Sequence, residues 1–281
     1  MLLMGATGVL GIEILRLLAA SRTRCRAATR KPARINSFGS PFVDVVACDI
    51  FRGDDVSRAV AGAASVISCV GASLDLRAFR DRSSYDSVDF AANVRLLNAA
   101  RAAGVTRFVY VSVFSTSELS KTAYVRAHER FATKLADSGL ESVVVRPTGF
   151  FHSYLEMLRM AKAGRGLVIG SGEARTNPIH EGDVAKHCVA ALTATESSID
   201  AGGPEVFTRQ RIQEVAFHAL DREPRITRLP PGPFRTAARM TGWFQPRLGE
   251  LLEFGAIAST VDVIAPQRGD RRLEDYFRAA V

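Results

Sequence analysis

The sequence predicts an α/β protein: a doubly wound parallel sheet followed by a small C-terminal substrate lobe. Three observations carry this. Short, β-rich, mostly continuous apolar runs alternate with helical stretches through the first two thirds of the chain, as parallel strands buried on both faces require. Gly104 and Gly139 each follow a helical pattern and precede a strand, which is a C-cap position. A glycine-spaced loop, Gly5–Gly11, leaves the first apolar run and opens the first helix. Strand–helix–strand order of this kind is the pattern of doubly wound sheets.

Taken in order, the predicted strands are Met1–Met4, Cys25–Thr29, Phe42–Ala47, Ser65–Cys69, Arg107–Ser112 and Ser142–Val145. The predicted helices between them are Val9–Ala20, Val56–Ala61, Val88–Ala103 and Thr122–Ser138. After Arg146 the pattern changes. Glycines punctuate Gly164–Gly172, a helix is expected over Glu181–Ala194, and Gly202-Gly203-Pro204 marks a break. Pro230-Pro231-Gly232-Pro233 is the strongest loop signal, with helical pieces expected at Phe234–Thr241, Leu248–Ala258 and Arg272–Ala280. Residues 1–150 thus form the core, and 151–281 a smaller lobe, some of whose elements return to the core. Only four residues precede Gly5, short for a central strand, so an upstream extension of a few residues is expected.

Composition narrows the function classes. Of 281 residues, 47% are apolar and 23% charged, which excludes a disordered chain or a disulfide-stapled miniprotein. No apolar run approaches the ~18 residues of a membrane span, and no basic segment precedes an apolar stretch as in a secretory leader. A cytoplasmic location is the expectation. Cys25, Cys48, Cys69 and Cys188 lack metal-ligand or redox spacing and read as small buried hydrophobes; no metal is expected. The net charge is +8, and 32 of the 37 basic residues are arginines, scattered rather than blocked. That argues against nucleic acid and favours an anionic ligand.

The loop Gly5-Ala6-Thr7-Gly8-Val9-Leu10-Gly11 has G-x-x-G-x-x-G spacing, a variant of the dinucleotide fingerprint. Gly5 allows the tight turn, Gly8 lets backbone approach a pyrophosphate, and Gly11 lets the helix pack close to the strand. The helix N-terminus supplies N–H groups and partial positive charge. NAD sites place an acid at the end of the second strand; here that strand runs into Thr29-Arg30-Lys31, with Arg30 nineteen residues past Gly11. A guanidinium there pairs with a 2′-phosphate, so NADP(H) is preferred over NAD(H); otherwise Arg30 and Lys31 are a solvated pair. Asp49 either accepts from the adenine amino group or makes an Asx turn. Gly71 either lets the cofactor pass or simply turns the chain.

Gly5–Gly11, Arg30, Asp49, Val70-Gly71-Ala72, Tyr110-Val111-Ser112 and Ser138-Gly139-Leu140…Arg146-Pro147-Thr148-Gly149 resemble the short-chain dehydrogenase/reductase superfamily, in its atypical, NmrA-like NAD(P)-binding branch. The resemblance covers about residues 1–195 and implies a Rossmann-type domain binding NADP(H) at the carboxyl ends of its strands. It also implies that Pro147 and Thr148, with Gly149, present backbone groups to the nicotinamide amide. The superfamily's Tyr-x-x-x-Lys pair is matched by Tyr124-Val125-Arg126-Ala127-His128, with His128 in the lysine's place. A mostly neutral imidazole supports a tyrosinate less than an ammonium does, though it can hydrogen-bond ribose or act as acid/base. Alternatively this helix is only a cofactor wall. Ser112 or Ser115 falls near the family's catalytic hydroxyl, or bonds the backbone. Asn93 either braces the site or is a plain polar helix residue. His180 and Asp183 read as structural, Asp183 suiting the helix dipole. Phe150, Phe151 and Tyr154 read as pocket wall or core.

No nucleophile elbow, P-loop or H-E-x-x-H is present. The expectation is an NADP(H)-dependent oxidoreductase acting on a small, largely apolar organic substrate, with Tyr124 as proton donor assisted by His128 and Ser112. The alternative is a non-catalytic NADP(H)-binding sensor or assembly factor; a nucleotide-sugar epimerase or dehydratase fits less well without the Tyr-Lys pair.

Overall fold

The computed structural model describes residues 1–35, 38–74 and 83–281. Its centre is a seven-stranded parallel sheet. The strands are β1 (Leu2–Met4), β2 (Cys25–Thr29), β3 (Val43–Ala47), β4 (Ser65–Ser68), β5 (Arg107–Val111), β6 (Glu141–Pro147) and, from beyond the predicted core, a late strand at Ser198–Ala201. Two short strands precede that last one in the chain, β7 (Gly166–Ile169) and β8 (Arg175–Thr176), so it is β9; β10 (Phe207–Thr208) and β11 (Ile226–Leu229) follow. The sheet order is β3-β2-β1-β4-β5-β6-β9, with Leu3 opposite Ala27 on one side and Ile67 on the other. Order reverses between β1 and β4, the crevice where such sheets hold ligands.

The apolar strand runs are explained by burial on both faces. Leu2 and Met4 point into one core with Val66, Leu96, Phe108 and Phe131. Leu3 points into the other with Ile14, Leu18, Ile67, Val109 and Val184. Helices α2 (Gly53–Val60), α3 (Asn93–Ala102) and α4 (Ala123–Ala136) cover the first face, and α1 (Val9–Ala20) and α6 (Glu181–Ala190) the second. Cys25, Cys48 and Cys188 are buried within these cores, and burial raises the thiols of Cys25 and Cys48 to about 11.

Helices α5 (Phe151–Lys162), α7 (Arg209–His218) and α10 (Leu273–Ala279) form a satellite core around Phe151, Leu158, Ile212, Phe217 and Phe277. The remaining pair is the hairpin α8 (Pro231–Phe244) and α9 (Pro246–Ala258). Three readings change here. The Pro-rich stretch expected as loop largely belongs to α8: Pro231 opens the helix, where a missing N–H costs nothing and the fixed φ is already helical. Asp86–Ala92, which begins two residues before the helix expected over Val88–Ala103 and runs into it, winds as a π-helix before α3 begins. And α5, α7 and β9 were not legible as elements.

Asn177 ties three distant segments of the C-terminal lobe together from a fully buried position. Its amide donates to the carbonyls of Ala265 (2.8 Å) and Gly203 (3.3 Å) and accepts from Ala265 N–H (3.0 Å). Asn177→Ala should therefore lower stability by roughly 2–4 kcal/mol, because Ala265 loses partners for both backbone groups in a site water does not reach. A denaturant titration checks this, and a loss under ~0.5 kcal/mol would mean the chain re-pairs those groups.

Candidate functional site

The loop after β1 is shaped by two steric constraints. Gly5 has φ +85°, and a Cβ there would stand 2.8 Å from Cys69 O. A Cβ at Gly11 would stand 2.9 Å from the Ala6 Cα, so α1 lies against the turn only because Gly11 has none. Gly8 differs. Its backbone is extended, and an added Cβ would meet nothing nearer than Gly5 O at 3.4 Å. Gly8 is also the N-cap of α1, with no side-chain cap and no acid in the first turn. The helix thus opens with N–H groups that no side chain satisfies, beside open space: an anion cradle. Thr7 is held at the end of β2, its hydroxyl 3.1 Å from that of Thr29. Arg30 follows, exposed and outside any ion pair among the described residues.

Gly8, Val9, Leu10 and Gly11 form one wall of a cleft of about 790 Å³ across the strand ends. Gly71 and Ala72 line it after β4, Val111 and Ser112 after β5, Tyr124 and His128 from α4, and His152, Glu156 and Arg159 from α5, with Phe150 beside them. The cleft so gathers all three residues expected to be catalytic with much of the expected cofactor loop. Ser112 is buried, and its Oγ has no hydrogen-bond partner among the described residues. Tyr124 packs edge-on against Tyr85, His128 and Phe254, with ring centroids 5.2, 4.7 and 5.0 Å away. Burial raises the Tyr124 hydroxyl well above its ordinary pKa, and the Asp89 charge adds to the effect. Tyr124 keeps its proton at neutral pH.

His128 does not stand free beside it. The ring is 3% exposed. Nδ1 is 2.6 Å from the Tyr110 hydroxyl, while Nε2 is 3.1 Å from Asp89 Oδ1, at ion-pair distance but without hydrogen-bond alignment. Asp89 is fully buried; Oδ1 also accepts from Ala72 N–H at 3.0 Å, and Oδ2 has no partner among the described residues. A Cβ on Gly71 would come within 3.2 Å of Oδ1, so Gly71 lets this carboxylate reach the strand end. Asn93 braces the arrangement: Oδ1 accepts from Ser68 (2.6 Å), and the amide donates to Val70 O and, within the π-helical turn, Asp89 O. Asp89, Tyr110 and the polar face of α5 were missed by sequence reasoning. Asp89 lies four residues before Asn93, so a shared helix face was the available signal.

Other expected positions lie elsewhere. Asp49 Oδ1 accepts from Phe51 N–H at 3.1 Å, the Asx-turn alternative. The carbonyl of Pro147 accepts from Phe114 N–H; Thr148 donates its N–H to Ala201 O and its hydroxyl to Asn177 O. These backbone groups are committed within the fold. His180 caps α6, its Nδ1 accepting from Gly182 N–H. Asp183 accepts from Lys186 and from the N–H groups of Asp270 and Arg271. Burial works against its charge, but these donors outweigh it and hold the carboxyl below its usual range. Both residues fasten the lobe. Phe151 and Tyr154 belong to the satellite core.

A family model described as NAD(P)H-binding matches residues 5–195. The chain is 27% identical over 240 residues to the mitochondrial NADH dehydrogenase [ubiquinone] 1 alpha subcomplex subunit 9 of Arabidopsis thaliana, covering 80% of this chain and 59% of that protein. It is 29% identical over 248 residues to the chloroplastic divinyl chlorophyllide a 8-vinyl-reductase of Zea mays, covering 82% of this chain and 61% of that protein. The chain thus spans about six-tenths of the length of these relatives. Among solved structures, the NADPH-dependent quinone oxidoreductase QOR2 of Escherichia coli, complexed with NADPH, superposes with a TM-score of 0.75, 99% coverage of both chains and 16% identity, which shows the shared fold.

Proposed function

The chain belongs to the NAD(P)H-binding family, and from that premise we propose that it is an NADP(H)-dependent reductase of a small, largely apolar acceptor. The observation that carries this reading is one cleft in which the uncapped start of α1 faces Tyr124 and Ser112. The residues fit the cofactor: a Cβ at Gly8 would occupy the open cradle, and Arg30, exposed just after β2, is in no ion pair among the described residues. When bound, a reduced nicotinamide supplies hydride, and the protein supplies orientation and charge.

The chain's own part is then to hold a proton and exclude water. Tyr124 retains its proton and is placed to hydrogen-bond an oxygen gaining electrons, although burial makes it a weak acid whose proton moves only as that oxygen becomes strongly basic. Ser112 Oγ adds a second, unspent donor near the cleft floor. His128, between Tyr110 and Asp89, fixes the ring against which Tyr124 packs. Conjugated carbonyls and activated alkenes suit such a site; the vinyl-reductase relative and the quinone-reductase fold support that choice.

A second reading has its own observation. His128 stands where the superfamily's lysine would be and both its ring nitrogens already face Tyr110 and Asp89, so the site can bind NADP(H) without turning it over. The Arabidopsis relative is by name a subunit of a larger assembly, which agrees. Oxidation of NADPH with a panel of quinones, enones and aldehydes decides. Turnover with any acceptor supports the reductase, and tight binding without turnover across the panel supports the binding module.

Arg30→Ala should weaken NADPH by about one to two powers of ten and leave NADH within about twofold, since only NADPH carries the 2′-phosphate. Parallel titrations check this; equal losses would mean that Arg30 reads no phosphate.

A further inference from the structure

On α8 most of the large apolar residues face solvent. Its only buried residue is Ala238. Pro233, Ala237, Met240 and Phe244, spaced three and four residues apart and so on one side of the helix, are all exposed. Trp243 and Phe244, at the turn into α9, are 83% and 88% exposed, and Met240 is 57% exposed. Large apolar side chains grouped on an exposed face mark a contact surface.

The helix is also charged with one sign. Arg235 and Arg239 are exposed on the flank between the apolar stripe and the buried side, in no ion pair among the described residues, and α8 contains no Asp or Glu. The groove under α8 is lined by Arg235, Arg239 and Trp243 together with the neighbouring carboxylates Glu118, Glu250 and Glu253. The two threonine hydroxyls of α8 donate back to its own carbonyls, Thr236 to Gly232 and Thr241 to Ala237. The helix therefore turns no unsatisfied hydroxyl outward. It is held firmly on α9: a Cβ at Gly249 would stand 2.8 Å from Gly242 N.

We propose that α8 is a membrane-docking helix. Its apolar face enters the boundary between headgroups and acyl chains of an anionic bilayer, with Arg235 and Arg239 at the lipid phosphates. An apolar stripe ending in adjacent Trp and Phe, two exposed arginines on a helix that itself carries no acid, and internally satisfied hydroxyls are what an in-plane helix at an anionic lipid surface needs. No helix among the described residues is long and apolar enough to cross a membrane, so the contact is peripheral. The proposal does not depend on turnover.

Trp243 is the chain's sole tryptophan, so its fluorescence reports α8 alone. The whole chain is titrated with phosphatidylcholine vesicles with and without phosphatidylglycerol, some carrying brominated acyl chains. Anionic vesicles should shift Trp243 emission to the blue, and brominated chains should quench it, with about tenfold or tighter binding than to neutral vesicles. Arg235→Glu with Arg239→Glu should abolish that preference, and Met240→Ser with Phe244→Ser should abolish quenching, with melting temperatures unchanged. Three results overturn the proposal: emission indifferent to both vesicle types; a blue shift that grows with protein concentration without lipid, which assigns the face to a second copy; or binding to anionic vesicles untouched by Met240→Ser with Phe244→Ser, which is adsorption by net charge.

Discussion

Gly8→Val is expected to fold normally and to lose NADPH affinity by about two powers of ten or more. The two halves of this result have separate causes. The backbone at Gly8 is extended, a conformation any residue adopts, and its Cβ would meet only Gly5 O at ordinary contact distance. The cost to stability should stay near ~1 kcal/mol, the scale of a poorer N-cap. The isopropyl group would nonetheless stand in the cleft against the open turn of α1, where a phosphate must reach the free N–H groups. Gly11→Val gives the control, because there the side chain would strike the Gly5–Ala6 backbone and the fold itself should fail. Calorimetric titration of folded Gly8→Val with NADPH reads the effect, and affinity within tenfold of wild type would remove the glycine loop from the binding site.

Tyr124→Phe should leave NADPH affinity within about twofold and reduce turnover by roughly 10²- to 10⁴-fold, the usual worth of a positioned proton donor. The ring contacts with Tyr85, His128 and Phe254 survive, since they involve the aromatic faces and edges and not the hydroxyl. A fall in kcat with unchanged cofactor affinity separates lost chemistry from lost structure. Turnover near the wild-type rate would mean that the proton comes from Ser112 or from water. His128→Lys does not simply restore the superfamily pair: an ammonium at this buried position would face Asp89, whose Oδ2 has no partner among the described residues, and would be neutralised there.

How much of this was legible follows from how far each signal reaches along the chain. β1, β4 and β5 announce themselves as apolar runs because they are central strands buried on both faces, while the edge strand β3 is legible only through its β-branched residues, its exposed Asp44 breaking the run. The glycine loop is legible because each of its constraints acts within a few residues. Tyr124 and His128 could be placed on one helix face, since four residues make about one turn. That His128 is claimed by Tyr110 from β5 and Asp89 from a π-helical turn is long-range information, and spacing carries none of it. β9 escaped for another reason. In Ser198-Ile199-Asp200-Ala201 only Ile199 and Ala201 are buried, so this outermost strand never forms an apolar run. The prolines before α8 are ambiguous by nature, since the same residues that stop one helix begin another.

β9 also bears on how the chain must be made. It pairs with β6, Val144 to Ser198 through Pro147 to Ala201, and until residue 201 is in place β6 is the outer margin of the sheet. That margin carries Val143, Val144 and Val145, with a row of unpaired N–H and C=O groups between apolar side chains. A strand in that state is a template for any other extended chain. A polypeptide interrupted after α6 would hold the glycine loop, Tyr124 and His128 and still lack closure, so self-association should outrun native assembly. Parallel pairing between segments far apart in sequence is slow to form, which lengthens the exposure on a ribosome or during refolding from denaturant. The late strand acts as a gatekeeper of solubility for an architecture whose glycine loop, Tyr124 and His128 were all synthesised before it.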